Sequence, residues 1–124
     1  MNSYLLDTHI LLWWLADDEK LTQGVRKLVS DPNNNIIVSA VSIWEVVIKK
    51  SLNKLDAPDD LIAILEGNNI EILPMTADHA MLVGCLPLIH SDPFDRLLIA
   101  QCMFEDLIFV THDGIIPKYN IECF

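Results

Sequence analysis

Four carboxylates carry the chemistry this sequence can do. Asp7 follows the run Tyr4–Leu6, Asp113 follows Leu107-Ile108-Phe109-Val110-Thr111-His112, Glu45 lies beyond Ile36–Ser39, and Asp95 stands inside His90-Ser91-Asp92-Pro93-Phe94-Asp95-Arg96. If they converge, they repel: at about 6 Å and an effective dielectric near 20, each ionised pair costs on the order of 3 kcal/mol. A divalent cation offsets that repulsion, and an all-oxygen donor set selects Mg²⁺ or Mn²⁺ over Zn²⁺. Each acid also has a local reading. Asp7 or Thr8 can cap a helix, Ser42-Ile43-Trp44-Glu45 matches a capping box, and Asp113-Gly114 suits a turn. Asp92 before Pro93 is the usual start of a helix, which leaves Asp95 three residues on, in the first turn beside the positive end of the dipole.

Convergence depends on the elements between the acids. Tyr4–Leu6, Ile36–Ser39, Ile70–Leu73, Leu107–Val110 and Ile121–Phe124 read as strands buried on both faces, because they do not alternate with polar residues. Helix-length stretches separate them: His9–Ala16, Lys20–Ser30, Ile43–Leu52, Asp59–Glu66, Ala77–Cys85 and Pro93–Glu105. Strands alternating with helices make right-handed crossovers, so the expected architecture is α/β, a central parallel sheet of about five strands flanked by helices on both faces. In such a sheet ligands bind at the carboxyl ends of the strands. All four acids are expected at that edge.

The 124 residues are about one domain's worth, and no repeat or linker divides residues 1–124. With 52 % apolar and 21 % charged residues, the chain is expected to be globular rather than disordered. Its longest apolar run, Ile10 to Ala16, is far short of the roughly 20 residues that span a bilayer. No basic segment precedes that run, and Cys85, Cys102 and Cys123 form no C-x-x-C, so a cytoplasmic protein with reduced thiols is expected. No phosphate-binding glycine loop or serine elbow is present, which removes the usual carriers of nucleotide-triphosphate and acyl-transfer chemistry. The net charge of −10 argues against a nucleic-acid partner unless metal ions reverse the local sign. The four histidines, His9, His79, His90 and His112, show no metal-ligand spacing and read as surface groups and supports of the site. Trp13 and Trp14, on adjacent faces of the first helix, cannot both enter one core.

The order, spacing and length of Leu5-Leu6-Asp7-Thr8-His9, Ser39-Ala40-Val41-Ser42-Ile43-Trp44-Glu45, His90 to Gln101 and Val110-Thr111-His112-Asp113 resemble a PIN domain, and more narrowly the ribonuclease toxins of VapBC-type toxin–antitoxin pairs. That resemblance implies a Mg²⁺ or Mn²⁺ site at Asp7, Glu45, Asp95 and Asp113 for cleaving single-stranded RNA. It implies a homodimer too, and an antitoxin protein that inserts a segment into a groove of the toxin. Whether Asp92 or Asp95 holds metal stays open, with the capping argument favouring Asp95. Hydrolysis of this kind leaves a 3′-hydroxyl and a 5′-phosphate.

Around the acids, Thr8 and Thr111 are candidate hydrogen-bond donors. Arg96 is the basic residue expected to meet a phosphate or to pair with Asp92 or Asp95, and Lys49, Lys50 and Lys54 form a basic cluster that guides RNA or solvates a helix face. The competing reading is a non-catalytic module of the same fold that docks a protein. A phosphatase with an aspartyl nucleophile is disfavoured, because Asp7-Thr8-His9 lacks the second Asp.

Overall fold

The computed structural model describes residues 2–124. Four parallel strands, β1 (Ser3–Leu6), β2 (Asn35–Ser39), β3 (Glu71–Leu73) and β4 (Ile108–Val110), lie in the order β3-β2-β1-β4. The helices between them are α1 (Thr8–Leu15), α2 (Gln23–Ser30), α3 (Ala40–Ser51), α4 (Leu61–Gly67), α5 (Ala77–Val83) and α6 (Pro93–Glu105). A short turn of 3₁₀ helix, Ile116–Tyr119, follows β4. Among the described residues no helix is long and apolar enough to cross a membrane.

Alternate residues of each strand feed two cores. Tyr4, Leu6, Ile36, Val38 and Val110 face α1, α2 and α4, while Leu5, Ile37 and Phe109 face α6 and the 3₁₀ turn. Both faces are covered, which is why the strand segments carry no polar alternation. The strand order makes the site. From β1 the chain winds outward through β2 to β3, then returns to the other side of β1 as β4. The winding direction reverses between β1 and β4, the kind of point at which open parallel sheets form a crevice.

The expected fifth strand is reduced to one parallel bridge between Phe109 and Cys123. β4 is three residues long. Asn120, in the left-handed region at φ 60°, turns the chain back against it, and Phe109 N–H to Glu122, Phe124 N–H to Phe109 and Thr111 N–H to Phe124 are the hydrogen bonds that result.

Candidate functional site

Strand ends and helix starts deliver the acids to the carboxyl edge. Asp7 closes β1, its N–H donating to the Val110 carbonyl at 2.9 Å. It is also the cap of α1: Oδ1 accepts from His9 N–H at 2.9 Å. Its other oxygen accepts from the Thr111 hydroxyl at 2.7 Å, and that hydroxyl in turn accepts the Asp113 N–H at 3.0 Å. One threonine thus ties the end of β1 to the end of β4. Cap and site geometry coincide at Asp7, so those two readings do not compete.

The capping box at Ser42 does not form. Ser39 begins the helix three residues earlier, its hydroxyl accepting the Val41 N–H, and α3 starts at Ala40. Glu45 consequently sits in the second turn, 3 % exposed, with Oε2 held 2.6 Å from the Lys49 ammonium. That pairing and the neighbouring carboxylates of Asp92 and Asp95 raise the Lys49 pKa. Glu45 Oε1 is buried and has no hydrogen-bond partner among the described residues. Stranding a buried carboxylate oxygen in this way costs on the order of 1 to 3 kcal/mol.

Asp92 caps α6, accepting from Phe94 N–H at 2.8 Å and Asp95 N–H at 3.3 Å, with Pro93 in the first turn. Asp95 therefore projects from that turn toward the other acids. Burial, Asp7, Asp92 and Glu45 together push its pKa up to about 7, against the lowering effect of His90. Asp7, Glu45 and Asp95 also act together on His9, whose pKa is raised chiefly by its hydrogen bond to Asp7. The three carboxylates share one field.

His90 joins the remaining acid to this group. Its Nδ1 accepts the Asp92 N–H at 3.1 Å, so Nε2 carries the proton, 2.8 Å from Asp113 Oδ2 and 3.2 Å from Asp95 Oδ2. The imidazole offers the cluster a proton rather than a lone pair, which leaves the donor set carboxylate. At Asp113 burial acts to raise the pKa, but the Ile115 N–H and His90 outweigh it and the pKa falls below the ordinary range. His90 is fixed from far along the chain: its N–H donates to the Tyr119 hydroxyl at 2.6 Å. Its spacing alone marked it as a support at most, and no local signal pointed to Tyr119.

Three expected roles find other partners. Thr8 donates to the Ser42 hydroxyl at 2.9 Å and to none of the four acids. Arg96 pairs with neither Asp92 nor Asp95, because its guanidinium is taken up by the Pro87, Val83 and Leu86 carbonyls and the Tyr119 hydroxyl. The lysine cluster splits: Lys49 turns to Glu45, and Lys50 to Asp59 and the Ala57 carbonyl.

The carboxylate donors, the orphaned Glu45 oxygen and the suppressed charge of Asp95 fit a hard divalent cation. The profile of the PIN domain family matches residues 4–122. This chain belongs to that family. Ribonuclease VapC22 of Mycobacterium tuberculosis (strain ATCC 25618 / H37Rv) is 23 % identical, covering 91 % of this PIN chain and 88 % of that protein. Among solved structures, VapBC2 from Rickettsia felis bound to a DNA fragment from their promoter superposes with a TM-score of 0.75 at 18 % identity, over 98 % of this chain and 97 % of that one. DNA-bound VapBC from Salmonella typhimurium gives 0.69 at 18 % identity, over 100 % and 98 %. These structural likenesses concern the PIN fold.

Proposed function

We propose that residues 1–124 form a single PIN domain acting as a Mg²⁺- or Mn²⁺-dependent endoribonuclease, the toxin of a toxin–antitoxin pair. The observation that carries this reading is the mutual field of Asp7, Glu45 and Asp95 at the β1–β4 crevice, with Asp95 pushed to about 7 and a Glu45 oxygen left without a partner. The relative called a ribonuclease supports the reaction, and the VapBC likenesses support an antitoxin protein as partner. A homodimer and a cytoplasmic place of action belong to the same reading.

Asp7, Asp95, Glu45 and Asp113 are the residues proposed to hold the ion. When bound, it supplies Lewis acidity that polarises the scissile phosphate and acidifies water. Thr111 fixes the Asp7 carboxylate by donating to Oδ2, with Oδ1 also accepting the His9 N–H, and Lys49 holds Glu45 through Oε2, which leaves Glu45 Oε1 without a partner among the described residues. Asp92, by capping α6, sets the rotation at which Asp95 enters the crevice. His90 keeps a proton between Asp95 and Asp113 and lowers the repulsion between them.

The test is cleavage of RNA by the purified chain in Mg²⁺ or Mn²⁺ and in chelator, with product ends mapped. Metal-dependent cuts that leave 5′-phosphates are expected, and Asp95→Asn is expected to abolish them. A folded parent that cuts no RNA in either metal, while binding a partner protein, would leave the non-catalytic module standing instead.

A further inference from the structure

Glu45, one of the four acids, and Thr8 also line a cavity of about 670 Å³ together with Trp13, Lys20, Lys49 and Lys54. Three of the chain's eight basic residues therefore meet at one cavity of a molecule with net charge −10. Lys49 is paired with Glu45, but Lys20 and Lys54 enter no ion pair among the described residues. The Lys20 ammonium lies 6.0 Å from the centre of the Trp13 ring. Half-buried, Trp13 is buttressed by His112 at 5.3 Å and 64° and by His9 at 6.4 Å and 52° between ring centroids and planes. Those histidines stand next to Asp113 and two residues beyond Asp7.

An aromatic ring packed beside two histidines, with the Lys20 ammonium over it, Lys54 on the same cavity wall and an acid of the cluster alongside, has the components that bind an unstacked base and its phosphate. We propose that the cavity bounded by Trp13, Lys20 and Lys54 is a nucleotide subsite: Trp13 stacks a base of single-stranded RNA beside the scissile bond, and Lys20 and Lys54 hold its phosphates. This rests on the ribonuclease reading and adds to it the residues that would hold a nucleotide next to the acids. Lys20 takes the place that the sequence cluster gave to Lys50, which α3 directs toward Asp59.

The experiment has a catalytic and a non-catalytic arm. In the first, a fluorogenic single-stranded RNA is cleaved by the parent, Trp13→Leu, Trp13→Phe and the Lys20→Gln/Lys54→Gln double variant, all checked for parental melting. KM should rise about ten-fold for Trp13→Leu and for the lysine pair, and less for Trp13→Phe, which keeps a ring, with kcat within about two-fold. In the second, a short single-stranded oligodeoxynucleotide is titrated in chelator at low salt and read by tryptophan fluorescence. Quenching is expected in the parent and lost in Trp13→Leu, and the lysine pair should lower the slope of log affinity against log salt by about 1.4. Unchanged KM in active variants overturns the subsite and leaves the ribonuclease standing. Trp13-dependent quenching in a parent that cuts no RNA sinks the ribonuclease and keeps the subsite. Equal quenching by poly-glutamate overturns the proposal in favour of an acidic protein segment.

Discussion

The two ends of the sheet carry different polar side chains, held in different ways. At the amino end three amides bond close by, two of them half-buried and one, Asn68, exposed. Asn35 donates to the Ser3 hydroxyl at 3.2 Å, Asn34 to the Leu28 carbonyl at 3.0 Å and Asn68 to the Ile64 carbonyl at 2.8 Å. Trp14 shares a cavity with Asn34, Asn35, Asn68 and Asn69 there, one helical position away from the Trp13 that looks toward the acids. At the carboxyl end the polar groups are carboxylates, and they are neither fully paired nor neutral. A fold selected for stability alone would treat both ends like the first. Lys49 and His90 pair with some of that charge, and what is left over supports the proposed cation site.

The sharpest way to break the contrast is to remove charge from one end and an amide from the other. Asp7→Asn and Asp95→Asn should each lower RNA cleavage by at least about 100-fold, since each removes a proposed ligand from the same ion. Asn35→Ala should leave cleavage rates at the parental level. If the asparagine variant loses activity while an aspartate variant keeps it, the functional end has been misassigned. Next in size is Thr111→Val, which keeps the shape of the side chain and deletes the hydroxyl that steadies Asp7. A loss of about 10- to 100-fold in kcat/KM is expected, together with weaker metal affinity measured by calorimetry.

Stability sharpens the comparison within the carboxyl end. Asp95 has its folded pKa raised to about 7 from an ordinary 3.8. Between those values the native state binds more protons than the unfolded chain, so its stability falls as pH rises through that window. His9, raised by Asp7, acts with the same sign, because the stability from its pairing is lost as pH rises through its folded pKa. Asp113 acts oppositely: its pKa is lowered, so the stability it contributes is present above the ordinary carboxylate range and lost as pH falls below it. In chelator the parent should melt a few degrees higher near pH 5 than near pH 8, a shift on the scale of roughly 1 kcal/mol for a domain this size. Asp95→Asn should flatten that dependence and melt above the parent near pH 8, whereas Asp113→Asn should melt below it. Added Mg²⁺ or Mn²⁺ should stabilise the parent more than Asp95→Asn, because the ion is expected to bind the native state. Scanning calorimetry of the three proteins decides it, and a lower melting point for Asp95→Asn in chelator would show that its charge is already compensated.

The smallest effects separate scaffold from site. Asp92→Ala should cost about 1 kcal/mol in denaturant unfolding through loss of the α6 cap, with most cleavage retained. Asn35→Ala should cost a similar amount through the lost bond to Ser3. An inactive but stable Asp92→Ala would mean that the roles of Asp92 and Asp95 are exchanged.

What could be read before folding was whatever local chemistry decides. Asp-Pro fixes the start of α6, which ran from Pro93 to Glu105 as expected, and with it the offset of Asp95. Asp7 and Asp113 followed from strand ends. Where two local signals competed, the nearer motif misled: Ser42 and Glu45 spell a capping box, yet Ser39 caps first because β2 ends there. Similarly, Thr22 starts α2 at Gln23 rather than at Lys20, its hydroxyl accepting the Val25 N–H. The fixing of His90 and Arg96 by the Tyr119 hydroxyl and the pairing of Asp7 with Thr111 depend on partners distant in sequence. No window along the chain contains them.

The hydroxyl bond from Thr111 to Asp7 joins residues 104 apart. Closing a contact that distant costs more chain entropy than closing a local one. The β1–β4 crevice therefore comes into being only when the last strand docks beside the first, and a partly made or partly unfolded chain lacks it. For a protein proposed to attack RNA, assembly itself acts as the safety catch: the destructive site arises only in the completed fold, the form in which its partner surfaces are also complete.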